Sequence, residues 1–398
     1  MKPAYALPIR RRRAASRGIS LVELLVGITV SMLTVLAITQ VFLASEEQRR
    51  VPSSLATTQV NAILALDAIQ RDIQQAGYGL GGGEWLGCTT GTSAHASSKG
   101  LSGLTLAPVQ IEAGDAANPS DRLTILYSGK VGPALPMQLA EDHDDSATPP
   151  YFTVTSNVGV RRQDWFVVAT PDGSACDTFQ AMDPDNPVAN PIAAAGIEKW
   201  TIRHLPDDKP LAPNGDPQPT LPSESRLLNL GENPVFHQWS VAGNDQQFSL
   251  QVTDLATPAP VGGGARPAAD AYPDIVLMRA FYGKDTDADG VIDTYDTEAP
   301  AVGDWGQVLG VRLAIVARSA ERVKGDDPVT PEPLVWNLGD ADVPDAEACD
   351  ADADSNCLEL SLEHTVPAGS DEWQFYRYRL FDTMVPLRNL IWNASPSS

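Results

Sequence analysis

Five aspartates fall within twelve residues of this chain: Asp285, Asp287, Asp289, Asp293 and Asp296, with Gly290 and Val291 among them. Acids at positions 1, 3 and 5, Gly at 6, a backbone carbonyl at 7 and acids at 9 and 12 make the spacing of a calcium loop. A hard cation needs that density of oxygens, and the carboxylates repel one another without one. The expectation is one calcium ion held by Asp285, Asp287, Asp289, the Val291 carbonyl, Asp293 and Asp296, stiffening a long loop over 285–296. Position 12 is Asp where a longer Glu would reach better, and Glu298 can help there. The preceding DIVLMRAFYG reads as strand, so a lone strand-flanked loop is expected instead of a paired helical sensor. A plain Asp-rich turn is the simpler alternative, since Asp and Gly favour turns anyway.

A second pointed residue is Glu23. It is the one acid in the run ISLVELLVGITVSMLTVLAITQVFLAS that follows Gly18. An ionisable group in lipid is costly and is seldom placed there without a partner. Ahead of it, Lys2, Arg10, Arg11, Arg12, Arg13 and Arg17 form a basic leader with no acid. The uncharged stretch from Leu24 to Ser45 has 22 residues, long enough to cross a bilayer. It is longer than the core of a usual secretory signal, and no small-x-small cleavage site follows it. The leader would hold the N-terminus in the cytoplasm. An ordinary anchor and a secretory signal are the alternative readings.

The four cysteines, Cys88, Cys176, Cys349 and Cys357, lie in the polar body and suggest two disulfides made in an oxidising compartment. Three connectivities are open. The close spacing of Cys349 and Cys357 favours a local bridge, which leaves Cys88 for Cys176. No Cys-x-x-Cys occurs, and His95, His143, His204, His237 and His364 lack zinc-ligand spacing. There is no Gly-x-Ser-x-Gly, His-Glu-x-x-His or P-loop, so no enzyme is expected. GLGGGEWLG (79–87) follows a helix instead of opening one and reads as a flexible linker, not a phosphate cradle. The acidic stretches 141–145 and 349–357 read as charged surface loops, and Trp165, Trp200, Trp373 and Trp392 as core residues.

The elements that must position these groups are a helix and many strands. Over 398 residues the net charge is −23, and all the more negative beyond the leader, which argues against a nucleic-acid surface. Leu55, Ala62, Ile63, Leu66, Ile69, Ile73 and Ala76 recur at helical spacing, with Asp67, Arg71 and Asp72 on other faces. Pro52 should kink or break that helix, and Gly77 and Gly79 should stop it. Beyond Gly81, runs rich in β-branched and aromatic residues alternate with Pro/Gly/Asp-rich connections at 205–224, 254–273 and 321–333. Strands are expected at 122–128, 151–155, 165–170, 226–230, 235–241, 247–252, 275–282, 308–317, 358–362 and 374–382. The class is α+β: a long N-terminal helix on a large, mainly antiparallel sheet.

Gly18 followed by Ile19-Ser20-Leu21-Val22-Glu23-Leu24-Leu25 resembles the type IV prepilin motif, with Ile19 where the family usually has Phe. The resemblance implies that prepilin peptidase cuts between Gly18 and Ile19 and methylates the new N-terminus. It also implies that Glu23 pairs with the N-terminal amine of a neighbouring subunit during assembly. The stretches 66–78, 120–127, 227–234, 281–295, 308–319 and 378–390 together resemble minor pilins of the PilW family. The implied organisation is a leader over 1–18, a membrane and filament-core half-helix over 19–45, an amphipathic half over 46–78 and a head over 79–398. The implied role is priming and assembly of a type IV pilus in a tip complex. Its partners would be other minor pilins, the major pilin, a PilY-type tip adhesin and the inner membrane. A type II secretion minor pseudopilin of the J type and a calcium-stabilised adhesive tip module are the alternatives.

Overall fold

The computed structural model describes residues 20–91, 101–115, 118–143, 151–181, 188–194, 197–204, 221–243, 247–258, 260, 264–350 and 352–391. Its one long helix, α1, runs Leu21–Gln75. The Ser20 hydroxyl accepts the N–H of Val22 at 3.3 Å, satisfying one of the donors that a helix start leaves open. Helix continues through Pro52, so the break anticipated there does not occur. A proline deletes one i→i−4 bond, and the turns on both sides carry the rest of the ladder. The chain divides into two compact units, Met1–Ser53 and Ser54–Ser398.

In the first unit the stretch Leu21–Phe42 is apolar, and none of it is buried within the chain. Its 22 residues reach about 33 Å at about 1.5 Å per residue, against about 30 Å of bilayer hydrocarbon. The hydroxyls along it are satisfied internally. Thr29 donates to the carbonyls of Leu25 and Val26, Ser31 to Gly27 and Ile28, Thr34 to Val30 and Thr39 to Val35. Glu23 is the only ionisable side chain of this stretch.

The second unit is a head of several small sheets instead of one large sheet, and among the described residues every ladder between its strands is antiparallel. The first sheet takes Val109–Glu112, Arg122–Tyr127, Val235–Gly243, Phe248–Asp254 and Ala268–Pro273 in that order. The second orders Thr294–Asp296, Ile275–Lys284, Val308–Arg318 and Tyr378–Pro386. A third holds Met137–Gln138, Arg226–Gly231, Trp165–Ala169 and Cys176–Gln180, a fourth Tyr151–Val154, Ile197–Arg203 and Val188–Ala194, and a fifth Leu334–Gly339, Asp352–Leu360 and Glu347–Cys349. The antiparallel α+β class therefore stands. Three local expectations do not. A strand, Ala268–Pro273, lies within the connection 254–273; the acidic stretch 349–357 is half of a hairpin; and Glu372–Phe375 is a 3₁₀ turn ahead of its strand.

The last turns of α1 lie in the head's main core. Ala62, Ala65, Ile69, Ile73 and Ala76 are fully buried among Leu123, Ile125, Trp239, Val241 and Leu250. Alanines on this stripe let the helix approach the sheet closely, while each buried isoleucine contributes about 1.5–3 kcal/mol. Ile63 belongs to the opposite face: with Val60 and Leu64 it is half-exposed, so this part of the helix is apolar on two sides. Trp165 and Trp373 are buried as expected, as are Trp305 and Trp336. Trp392 and the side chain of Trp200 lie outside the described residues.

The glycines of 79–87 are not a flexible linker. They form turns against the core, with Leu80 and Leu86 buried. Gly79 has φ +84°, and a Cβ there would lie 2.6 Å from the Ser128 Cβ. At Gly306, by contrast, an added Cβ meets nothing within 4 Å. Gly79→Ala should lower the head's unfolding free energy by about 2–4 kcal/mol, combining a left-handed backbone with overpacking. Gly306→Ala should stay within about 0.5 kcal/mol. Thermal or chemical denaturation of the two variants side by side checks this.

Candidate functional site

The acidic loop is the turn of a hairpin. Ile275–Lys284 enters it and Thr294–Asp296 returns, pairing Tyr282 with Asp296 and Lys284 with Thr294. Asp285 is buried and anchored by its N–H to the Gln307 carbonyl at 2.8 Å. Its carboxylate accepts the N–H groups of Asp289 (3.2 Å) and Gly290 (2.8 Å). Asp287 accepts from Asp289 at 3.2 Å, and Asp289 from Val291 at 2.7 Å. Positive φ at Ala288 (64°) and Gly290 (89°) bends the chain so that the three acids face inward. One oxygen from each of Asp285, Asp287 and Asp289 lies within 4.8 Å of the others, the one such cluster among the described residues.

Two expected ligands are not brought to this cluster. Asp293 accepts the N–H and hydroxyl of Thr286 at 2.6 and 2.8 Å, which holds its carboxyl below the usual range. Both carboxylate oxygens of Asp296 accept from the Lys284 ammonium, at 2.7 and 2.8 Å. A lysine on the paired strand, two positions past the register partner of Asp296, thus already neutralises position 12, which spacing along one chain could not reveal. Glu298 donates its backbone N–H to Asp296 at 2.9 Å. The donor set present fits a hard cation at three carboxylates, with the Val291 carbonyl next in the loop.

Gly18 and Ile19 lie outside the described residues. Glu23 is exposed in the first turn of α1, where the helix dipole favours a negative charge. The cysteines pair as their spacing favoured, Cys88 with Cys176 and Cys349 with Cys357. The first bridge ties the turn after α1 to the third sheet, and the second closes the hairpin of the fifth. His143 is not in a solvated loop: its ring sits 4.1 Å from Phe152 and 5.2 Å from His204.

Asp72 is the residue that periodicity misplaced. It faces the sheet, not solvent. Its carboxylate accepts the Tyr127 hydroxyl (2.9 Å) and the Trp239 indole N–H (2.8 Å), and lies 3.0 Å from His237 Nδ1. Three donors from the first sheet compensate for burying one charge of the helix. A helical charge three residues from an apolar stripe gave no hint of them, because all three are more than fifty positions away.

Residues 247–389 match the model of the family PilW, described as Type IV Pilus-assembly protein W. That stretch is similar to the PilW family. No curated protein and no solved structure matches the chain. The PilW stretch covers the second and fifth sheets, the acidic loop and the Cys349–Cys357 bridge; α1 and the third and fourth sheets precede it. The description of that family names a role in type IV pilus assembly, and among the described residues one N-terminal helix is long and apolar enough to cross a membrane.

The hydrogen bond to Asp72 raises the His237 pKa above the ordinary histidine value, against an opposing effect of burial. The protonated ring therefore stabilises the head fully below that ordinary value, and the benefit fades as pH rises through the raised one. His364, pushed down by burial, acts in the opposite sense on the acid side. Comparison with His237→Gln isolates the first effect: the gap in denaturation midpoint between the two proteins should be wider at about pH 5.5 than at about pH 8.5. An equal gap at both would remove the charged pair.

Proposed function

We propose that this chain is a minor type IV pilin that primes pilus assembly from a tip complex with other minor pilins. Prepilin peptidase removes 1–18, Ile19 becomes the methylated N-terminus, and the head faces the periplasm until the subunit enters the filament. The observation that carries this reading is the first stretch of α1: apolar on every face, its hydroxyls satisfied within the helix, and Glu23 its sole ionisable group. Such a surface is covered by lipid first and by neighbouring helices afterwards. Glu23 then meets the amine of an adjacent subunit, two charges whose separate burial would be costly. The second apolar face at Val60, Ile63 and Leu64 supports continued helix packing beyond the membrane. The major pilin and a PilY-type adhesin complete the partners.

Glu23→Gln should leave the membrane level of the protein unchanged while lowering its recovery in sheared pili at least tenfold. Equal recovery would remove the proposed pairing, and a mature N-terminus other than methylated Ile19 would remove the pilin assignment. Deleting the gene should abolish piliation; intact pili with failed protein secretion would point to a J-type pseudopilin. Normal pili that no longer adhere, after removal of the head alone, would point to an adhesive module.

The acidic loop is proposed to take one calcium ion at Asp285, Asp287, Asp289 and the Val291 carbonyl, as a brace for the hairpin. With Asp293 and Asp296 bonded elsewhere, affinity belongs in the extracellular range of about 10⁻⁴–10⁻³ M. Calcium at about a hundred times that constant should stabilise the head by about 2.7 kcal/mol. Asp287→Asn should abolish most of that gain, read as the shift in melting temperature with and without calcium.

A further inference from the structure

Lys130, Asp164 and Asn229 meet in the interior, where the end of the first sheet touches the third. Lys130 follows the strand Arg122–Tyr127, Asp164 precedes Trp165–Ala169, and Asn229 lies within Arg226–Gly231. The Lys130 Nζ is 2.5 Å from Asp164 Oδ2, and their side chains are 4% and 3% exposed. Asn229, also 3% exposed, donates its Nδ2 to that same oxygen at 3.1 Å. Its Oδ1 accepts the Gly231 N–H at 2.8 Å, which fixes the orientation of the amide. Asp164 Oδ2 also accepts the Arg161 N–H at 2.8 Å. At Gly231, φ is +80° and a Cβ would lie 3.0 Å from the Lys130 nitrogen, so this glycine is what lets the lysine backbone come so close.

A buried ion pair is an inefficient way to join two sheets, since well-packed apolar residues do as well or better. This arrangement has a different chemical capacity. One carboxylate oxygen touches both an amine and the nitrogen of a carboxamide, and a backbone N–H is aimed at the carbonyl oxygen of that carboxamide. Water is excluded. These are the parts of an amide-exchange site: a proton carrier between nucleophile and leaving group, and a donor for the developing oxyanion.

We propose that Lys130 and Asn229 join in an intramolecular isopeptide bond, with Asp164 as the proton carrier. Asp164 Oδ2 takes a proton from Nζ, which leaves a neutral amine. The amine attacks Cγ of Asn229, and charge builds on Oδ1 against the Gly231 N–H. Asp164 gives its proton to Nδ2 as the Cγ–Nδ2 bond breaks, and takes the second proton from the new amide nitrogen. One C–N bond forms, one breaks, and ammonia leaves; no oxidant or reductant takes part. The product covalently ties the first sheet to the third, a link that pulling on the chain cannot unzip.

Mass spectrometry of the purified full-length chain tests this. The wild type should be lighter than its processed sequence by one ammonia, beyond the losses due to the two disulfides. Its digest should contain a branched peptide joining Lys130 to Asn229. Lys130→Arg, which keeps a cation, and Asp164→Asn should both return to full mass. A wild-type chain of full mass, without the branched peptide, overturns the proposal whether or not the variants fold. So does ammonia loss that persists in Lys130→Arg, because that marks a cyclic imide at Asn229–Leu230.

Discussion

The head is organised by one contact: the stripe of Ala62, Ala65, Ile69, Ile73 and Ala76 laid on the first sheet, with Asp72 bonded into that sheet beside it. The apolar part supplies the energy but is not directional, so it would tolerate a slide of the helix by a turn. The carboxylate does not tolerate it. Displacing Asp72 from Tyr127, Trp239 and His237 would strand a charge in the interior, at several kcal/mol. The stripe makes the helix stick, and Asp72 decides where.

The first sheet passes that placement on to the second. Asp121, fully buried, accepts the N–H of Gly114 from its own side and of Ala280 from the second sheet, both near 2.9 Å. Burial raises its pKa, an effect that the Arg279 guanidinium at 3.5 Å offsets in part. The Tyr282 hydroxyl accepts from Ile111 and donates to Val109, which stitches the same two sheets. Tyr282 lies just before the acidic loop, so the hairpin that presents Asp285, Asp287 and Asp289 stands on a base fixed by the same bonds that seat the sheets.

Much of the site was legible because its logic is local. The Asp spacing with Gly290 required a turn that gathers three carboxylates, and positive φ at Ala288 and Gly290 provides it. Cys349 and Cys357 are close enough in sequence to find each other. Most strands were legible from their β-branched runs. Those missed, such as Cys176–Gln180 and Ala268–Pro273, carry few such residues and are held by the neighbours they pair with. The Gly-rich stretch misled because glycine permits close packing as readily as it permits flexibility, and composition alone cannot say which.

The sequence by itself determined the properties that depend on neighbours along the chain: a membrane-length apolar helix with one acid, an acidic loop with calcium spacing, a local disulfide and an antiparallel α+β head. Only the tertiary structure decided which charges find partners. Asp296 went to Lys284, Asp72 to three donors of the first sheet, and Asp164 to Lys130 and Asn229. The reason is physical. Backbone periodicity and turn chemistry act over a few residues, whereas a buried charge is satisfied by whatever the folded chain brings within about 3 Å, from any distance in sequence.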